Sequence, residues 1–76
     1  MAQQTPYSGW RNYETWNVAL WIGNDEGLYH LAKDAGSYQS FRDAMREFGV
    51  TETPDRVAYN DGRVDTAAIN EMIEEL

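Results

Sequence analysis

The sequence predicts an all-α chain: a compact bundle of about four short helices, with an irregular or hairpin-like loop at about residues 50–64. Three features lead there. Four segments repeat apolar residues at the three- and four-residue spacing that puts them on one face of a helix. Asn12, Ser37 and Asp65 stand where N-caps belong, and Gly36 and Gly49 where helices stop. Finally, 76 residues without a cysteine leave room for one core and no disulfide or thiolate-held metal. A core of this size supplies only ~3–5 kcal/mol.

Residues 1–11 read as an N-terminal arm, broken by Pro6 and Gly9, ahead of a single helical domain at 12–76. Tyr7 and Trp10 are too large and apolar to sit loose in water, so that part of the arm is expected to dock. The first helix is expected over Tyr13–Ile22, capped by Asn12 and ended by Gly23 or Asn24. It is apolar nearly all round, with Glu14, Thr15 and Asn17 as scattered interruptions, which predicts a central helix. The second helix, about Asp25 to Ala35, carries the stripe Leu28, Leu31, Ala32 and Ala35. The third, about Tyr38 to Phe48, is the cleanest amphipathic segment: Tyr38, Phe41, Ala44, Met45 and Phe48 share one face, flanked by Arg42 and Arg46. Thr53-Pro54-Asp55 could open a helical turn, and Asp61-Gly62 could equally turn a hairpin. Asp65 then caps a last helix, Thr66 to Leu76, striped by Ile69, Met72, Ile73 and Leu76. The expected core is Trp16, Leu20, Phe41, Met45, Phe48, Ile69 and Ile73.

Thirteen acidic residues against six basic ones give a net charge of −7. Residues 51–76 hold seven of the acids against Arg56 and Arg63 alone. Such a field repels phosphate backbones, so direct nucleic-acid binding is not expected and a partner with a basic surface is. No apolar run approaches the ~20 residues that cross a bilayer, and the first ten residues do not resemble a signal peptide. A soluble protein of the host-cell cytoplasm is the expectation, without membrane attachment.

Candidate chemistry is sparse. His30 has Glu26 and Asp34 one turn away on either side, but three ligands on one helix cannot surround an ion; a solvated face is the expectation, with no metal. Ser8, Ser37 and Ser40 lack a nucleophile's context, and Gly23 to Gly27 lacks the spacing and lysine of a phosphate loop. No catalytic residue and no cofactor are expected. The ten aromatic residues say more. A chain this short buries only ~60% of its unfolded surface, so some rings stay outside, and Tyr and Trp are common anchors of interfaces. Trp10 and Tyr59 are the candidate anchors. Glu71, Glu74 and Glu75, at the negative end of the last helix, are the candidate charged contacts.

The run Arg11-Asn12-Tyr13-Glu14-Thr15-Trp16-Asn17-Val18-Ala19-Leu20-Trp21-Ile22, followed by Asn24-Asp25-Glu26-Gly27, resembles the opening of a small family of uncharacterised proteins from bacteriophages, archaeal viruses and plasmids. The resemblance implies a viral or mobile-element origin and no known activity. Three functional readings follow: an acidic accessory protein that binds a host or phage protein, for instance to inhibit a defence system; a nucleic-acid mimic in a basic groove; or a homo-oligomeric module, with a homodimer its simplest form.

Overall fold

Each helix begins where a short polar side chain can take an otherwise unpaired backbone N–H. Asn12, Asp25, Ser37 and Asp65 accept from the N–H groups of Thr15, Leu28, Ser40 and Ala68 at 2.9, 3.0, 3.2 and 3.1 Å. These caps start α1 (Tyr13–Asn24), α2 (Glu26–Ala35), α3 (Tyr38–Glu47) and α4 (Thr66–Glu74). The computed structural model describes Tyr7 and residues 9–76; residues 1–6 of the arm and Ser8 lie outside the described residues. The fold is all-α, four helices with no strand among the described residues.

Helix α1 does not stop at Ile22. It runs through Gly23 to Asn24, and Asp25 both closes it, donating its N–H to the Trp21 carbonyl, and caps α2. Gly27 belongs to this corner: a Cβ there would come within 3.3 Å of the Asp25 carboxylate, crowding the cap. Gly36, left-handed at φ +79°, ends α2. At the end of α3 the Val50 N–H reaches back to the Met45 carbonyl at 3.0 Å around left-handed Gly49, the bonding of a Schellman cap.

Helix α4 touches the other three; α1 packs on α2, and α2 on α3. The core between them holds Val18, Ile22, Ala32, Tyr38, Phe41, Met45, Ile69 and Ile73. Phe41 stacks beside Tyr38 and meets Tyr59 edge-on, with centroids 6.0 and 5.5 Å apart. Four of the seven expected core residues are therefore buried. Trp16 and Leu20 are half-buried, and Phe48 is 70% exposed. Residues 46–50 are all exposed, so the last turn of α3 runs beyond the elements it packs on, and helical phase alone does not cover Phe48.

The core is closed by the segment read as an ordered loop. Val57, Tyr59 and Val64 are buried in it. The hairpin turns at Thr53–Arg56, not at Asp61-Gly62: the Arg56 N–H bonds to the Thr53 carbonyl and the Thr53 N–H to the Val57 carbonyl, both at 2.8 Å, and Glu52 bridges Ala58. Pro54 presets the backbone for the second position of that turn, and Arg56 takes the left-handed place at its end, φ +72°. Asp61 forms a separate turn, its carboxylate accepting from the Arg63 backbone and side chain.

Candidate functional site

Among the described residues of the arm, the Trp10 N–H bonds to the Tyr7 carbonyl at 2.9 Å. Tyr7 meets Tyr13 and Trp16 at ring distances of 6.2 and 6.3 Å, and Trp10, half-buried, packs against the edge of the core. Helix α4 turns Ile69 and Ile73 inward. Its neighbouring flank, at three- and four-residue spacing, carries Ala68, Glu71, Met72 and Glu75. Between this flank and Trp10 lies an open groove of about 650 Å³, walled also by Leu76. Its lining combines apolar side chains with the carboxylates of Glu71 and Glu75.

Three of the five candidate binding residues, Trp10, Glu71 and Glu75, therefore line one groove, although more than half the chain separates the indole from the glutamates. Glu74 points along another flank and accepts from the Asn70 amide at 2.9 Å, while the Asn70 carbonyl oxygen accepts the Tyr38 N–H. Tyr59 is a correction. Only 3% of it is exposed, its ring is spent on Phe41, and its carbonyl accepts the Tyr38 hydroxyl at 2.7 Å. Burial, and secondarily the charge of Asp25, pushes its phenol up to about 12. A ring so placed is not an exposed anchor, although Tyr59 lines part of another groove, beside Val50. Sequence reasoning counts it among the rings a short chain leaves outside, but alternation in the hairpin sends Val57 and Tyr59 inward together.

Helix α1 holds the arrangement that sequence periodicity hides. Thr15 and Asn17, the supposed interruptions, are fully buried, while Tyr13 faces outward. The Asn17 amide donates to Asp55 at 2.8 Å and its carbonyl oxygen accepts the Thr53 hydroxyl at 2.7 Å; Trp21, one turn on, donates its indole N–H to the same Asp55 oxygen at 3.0 Å. Thr15 accepts the Asp65 N–H at 2.8 Å, Asn12 donates to the Arg63 carbonyl at 2.7 Å, and Glu14 pairs with Arg63 at 3.1 Å. Both ends of the 53–65 segment are thus fastened to α1. Buried polar groups are tolerated when paired, and no buried side-chain nitrogen or oxygen among the described residues lacks a partner.

The hydrogen bonds from Asn17 and then Trp21 hold the Asp55 carboxyl below its usual range, despite a small opposing effect of burial. A folded-state value lowered in this way adds stability above the unfolded carboxylate value of about 3.9 and loses it as pH falls through the folded value. Asp61, held down to about 2 chiefly by its hydrogen bonds to Arg63, acts in the same direction. In D55N the melting temperature should lie below the parent's at neutral pH, and the gap should close as pH falls below about 4. Thermal melts followed by circular dichroism check this; a gap independent of pH would contradict the carboxylate's role.

His30 sits exposed on α2, 3.8 Å from Glu26 and edge-on to Tyr29. Among the described residues no group of three or more His, Cys, Asp or Glu gathers as a metal site. Ser37 is spent as an N-cap. Arg42 lies over the Tyr38 ring at 4.8 Å, and Arg46 pairs with Asp43 at 2.9 Å, so neither answers the glutamates of α4. No helix among the described residues is long and apolar enough to cross a membrane.

The chain matches, over residues 3–76, the profile of a family described as a family of unknown function (DUF7249). It belongs to that family. Comparison with curated proteins and with solved structures finds no match. The recognisable Asn12–Gly27 motif now has a structural account: Asn12, Thr15, Asn17 and Trp21 fasten the 53–65 segment, Asp25 joins two helices, and Gly27 clears space for that joint. The motif is therefore read as architecture, and its side chains do not line the groove.

One apolar feature escaped sequence reading. Phe48 and Val50 (41% exposed) lie together at the end of α3, and Val50 shares a second groove, of about 520 Å³, with Leu28, Met45, Pro54 and Arg56. Gly49 was the available signal, because a helix ending there leaves Phe48 in its cap.

Proposed function

We propose that this protein acts by binding another protein, as an accessory factor of a bacteriophage, archaeal virus or plasmid working inside the host cell, and that it has no catalytic role. Inhibition of a host defence protein is one form of that role. The viral or mobile-element origin rests on the resemblance of the Asn12–Gly27 motif. The binding role rests on the groove: an indole, a methionine and two glutamates without an ion pair among the described residues share one open cleft. Such a surface suits a basic partner with an apolar anchor.

The nucleic-acid mimic is weaker, because a mimic needs carboxylates free along a surface. Here Glu14, Asp25, Asp55, Asp61 and Asp65 are engaged within the chain. The homo-oligomeric reading draws on a different observation, the exposed pair Phe48 and Val50. Solution mass measured over a range of concentrations, for the parent and for F48A, separates it from the leading reading.

The test of the leading reading is affinity capture from host cells, followed by surface plasmon resonance on the captured partner. In the variant E71Q/E75Q association should slow and its salt dependence flatten, since rim charges act mainly on the encounter. E74Q alone should do less. Unchanged kinetics in E71Q/E75Q would remove the groove from the mechanism.

A further inference from the structure

We infer that the groove between Trp10 and α4 takes an arginine side chain from the partner, its guanidinium over the indole and its N–H groups on the carboxylates of Glu71 and Glu75. This inference rests on the protein-binding reading above and names what the groove would grip.

Several features of the groove converge on that ligand. Glu71 and Glu75 stand one helical turn apart on the flank of α4 that faces Trp10, and both remain exposed. They sit in the last turn and at the C-cap of α4, where the helix dipole already concentrates negative potential and no basic residue is present in the last turn. An arriving cation would relieve both the dipole and the two carboxylates, whereas an anion would be repelled. Beside the carboxylates the groove is lined by Trp10, Met72 and Leu76, which a hydrated inorganic ion could not use. The ligand therefore needs an apolar stem and a charged head.

Among such groups a guanidinium fits best. It is planar, so it stacks on an indole, and its fork of donors can serve two acceptors at once; an ammonium is a compact, strongly hydrated point charge. The groove exceeds one side chain in volume, so an apolar residue one turn from the arginine on a helical segment would lie against Met72 and Leu76. A second copy of this chain is the competing source: its Arg42, Arg46 and Arg63 are engaged on Tyr38, Asp43 and Asp61, but Arg56 is exposed and makes no ion pair among the described residues, so the test below includes a dimer as an outcome.

The probe is a short, blocked helical peptide with one arginine and a leucine one turn away, compared with the same peptide carrying lysine or citrulline, the neutral isostere of arginine. Binding is followed on the intact protein by the indole N–H signals of Trp10, Trp16 and Trp21 in proton–nitrogen NMR spectra, with W10F to assign the first. The arginine peptide should shift the Trp10 signal most and bind more tightly than the lysine peptide. Citrulline, or E71Q/E75Q in the protein, should weaken binding at least about tenfold. The amide spectrum of that variant should otherwise match the parent's, showing that the fold is kept. Equal affinity for arginine and citrulline, an arginine peptide that does not bind, shifts centred on Phe48 and Val50, or a dimer that E71Q/E75Q dissolves would each overturn the inference. If the peptide fails while the captured partner still responds to E71Q/E75Q, only the arginine assignment falls. If the partner too is indifferent, the groove falls with it.

Discussion

Asn17→Ala should destabilise the protein by roughly 2–4 kcal/mol, although the residue lies on a polar interruption of an otherwise apolar helix. Asn17 has no exposed surface and makes two side-chain bonds to the hairpin. Alanine leaves the Thr53 hydroxyl without its acceptor in a buried place, a loss of about 1–3 kcal/mol, and also removes one of the two bonds that hold the Asp55 carboxylate, the other coming from Trp21. In a domain of this size 1 kcal/mol moves the melting point by roughly 4–8 °C, so a drop of at least about 8 °C is expected. Hydrogen exchange should show where it acts. The amides of Thr53 and Val57, bonded within the hairpin, should lose protection well before those of α2. A melting point within about 2 °C of the parent's would mean that the hairpin does not depend on α1.

Asn17 also shows why part of the fold was legible in the sequence and part was not. Helix starts depend on a side chain and an N–H three residues later, so Asn12, Ser37 and Asp65 announced themselves locally. The inward face of α1 depends on partners 36 to 50 residues away in the chain, Thr53, Asp55 and Asp65. No helical periodicity carries that information. Counting apolar residues therefore set Trp16 and Leu20 inside and left Asn17 a mere interruption, because a hydrogen bond that makes a buried amide acceptable is invisible until the partner is placed. The turn of the hairpin was misplaced for a related reason: Asp61-Gly62 is the stronger local turn signal, but the fastening at Thr53 and Asp55 favours the turn around Pro54. The candidate site fared differently. Glu71 and Glu75 were chosen for charge and Trp10 for its ring, and tertiary packing brings them to one groove. The same reasoning failed at Tyr59, because how much surface a short chain buries does not say which ring stays outside.

Phe41→Ala and Phe48→Ala, equivalent on helical phase, should differ more than any other pair of truncations in α3. Phe41 is wholly buried between the Tyr38 and Tyr59 rings. Its removal leaves a cavity where the hairpin meets α3, with an expected loss of about 3–5 kcal/mol. That approaches the ~3–5 kcal/mol that a core of this size supplies, so the variant should lack a cooperative melt or unfold at the lowest denaturant concentrations. Phe41→Leu, which keeps most of the volume, should lose less and retain a measurable transition. Phe48 is 70% exposed; Phe48→Ala should stay within about 0.5 kcal/mol of the parent. Urea titrations of all three variants decide the matter. A larger loss at Phe48 than at Phe41 would mean that the end of α3 is covered in solution, as a self-associating surface would cover it, and would shift weight from the groove beside Trp10 to the apolar pair at Phe48 and Val50.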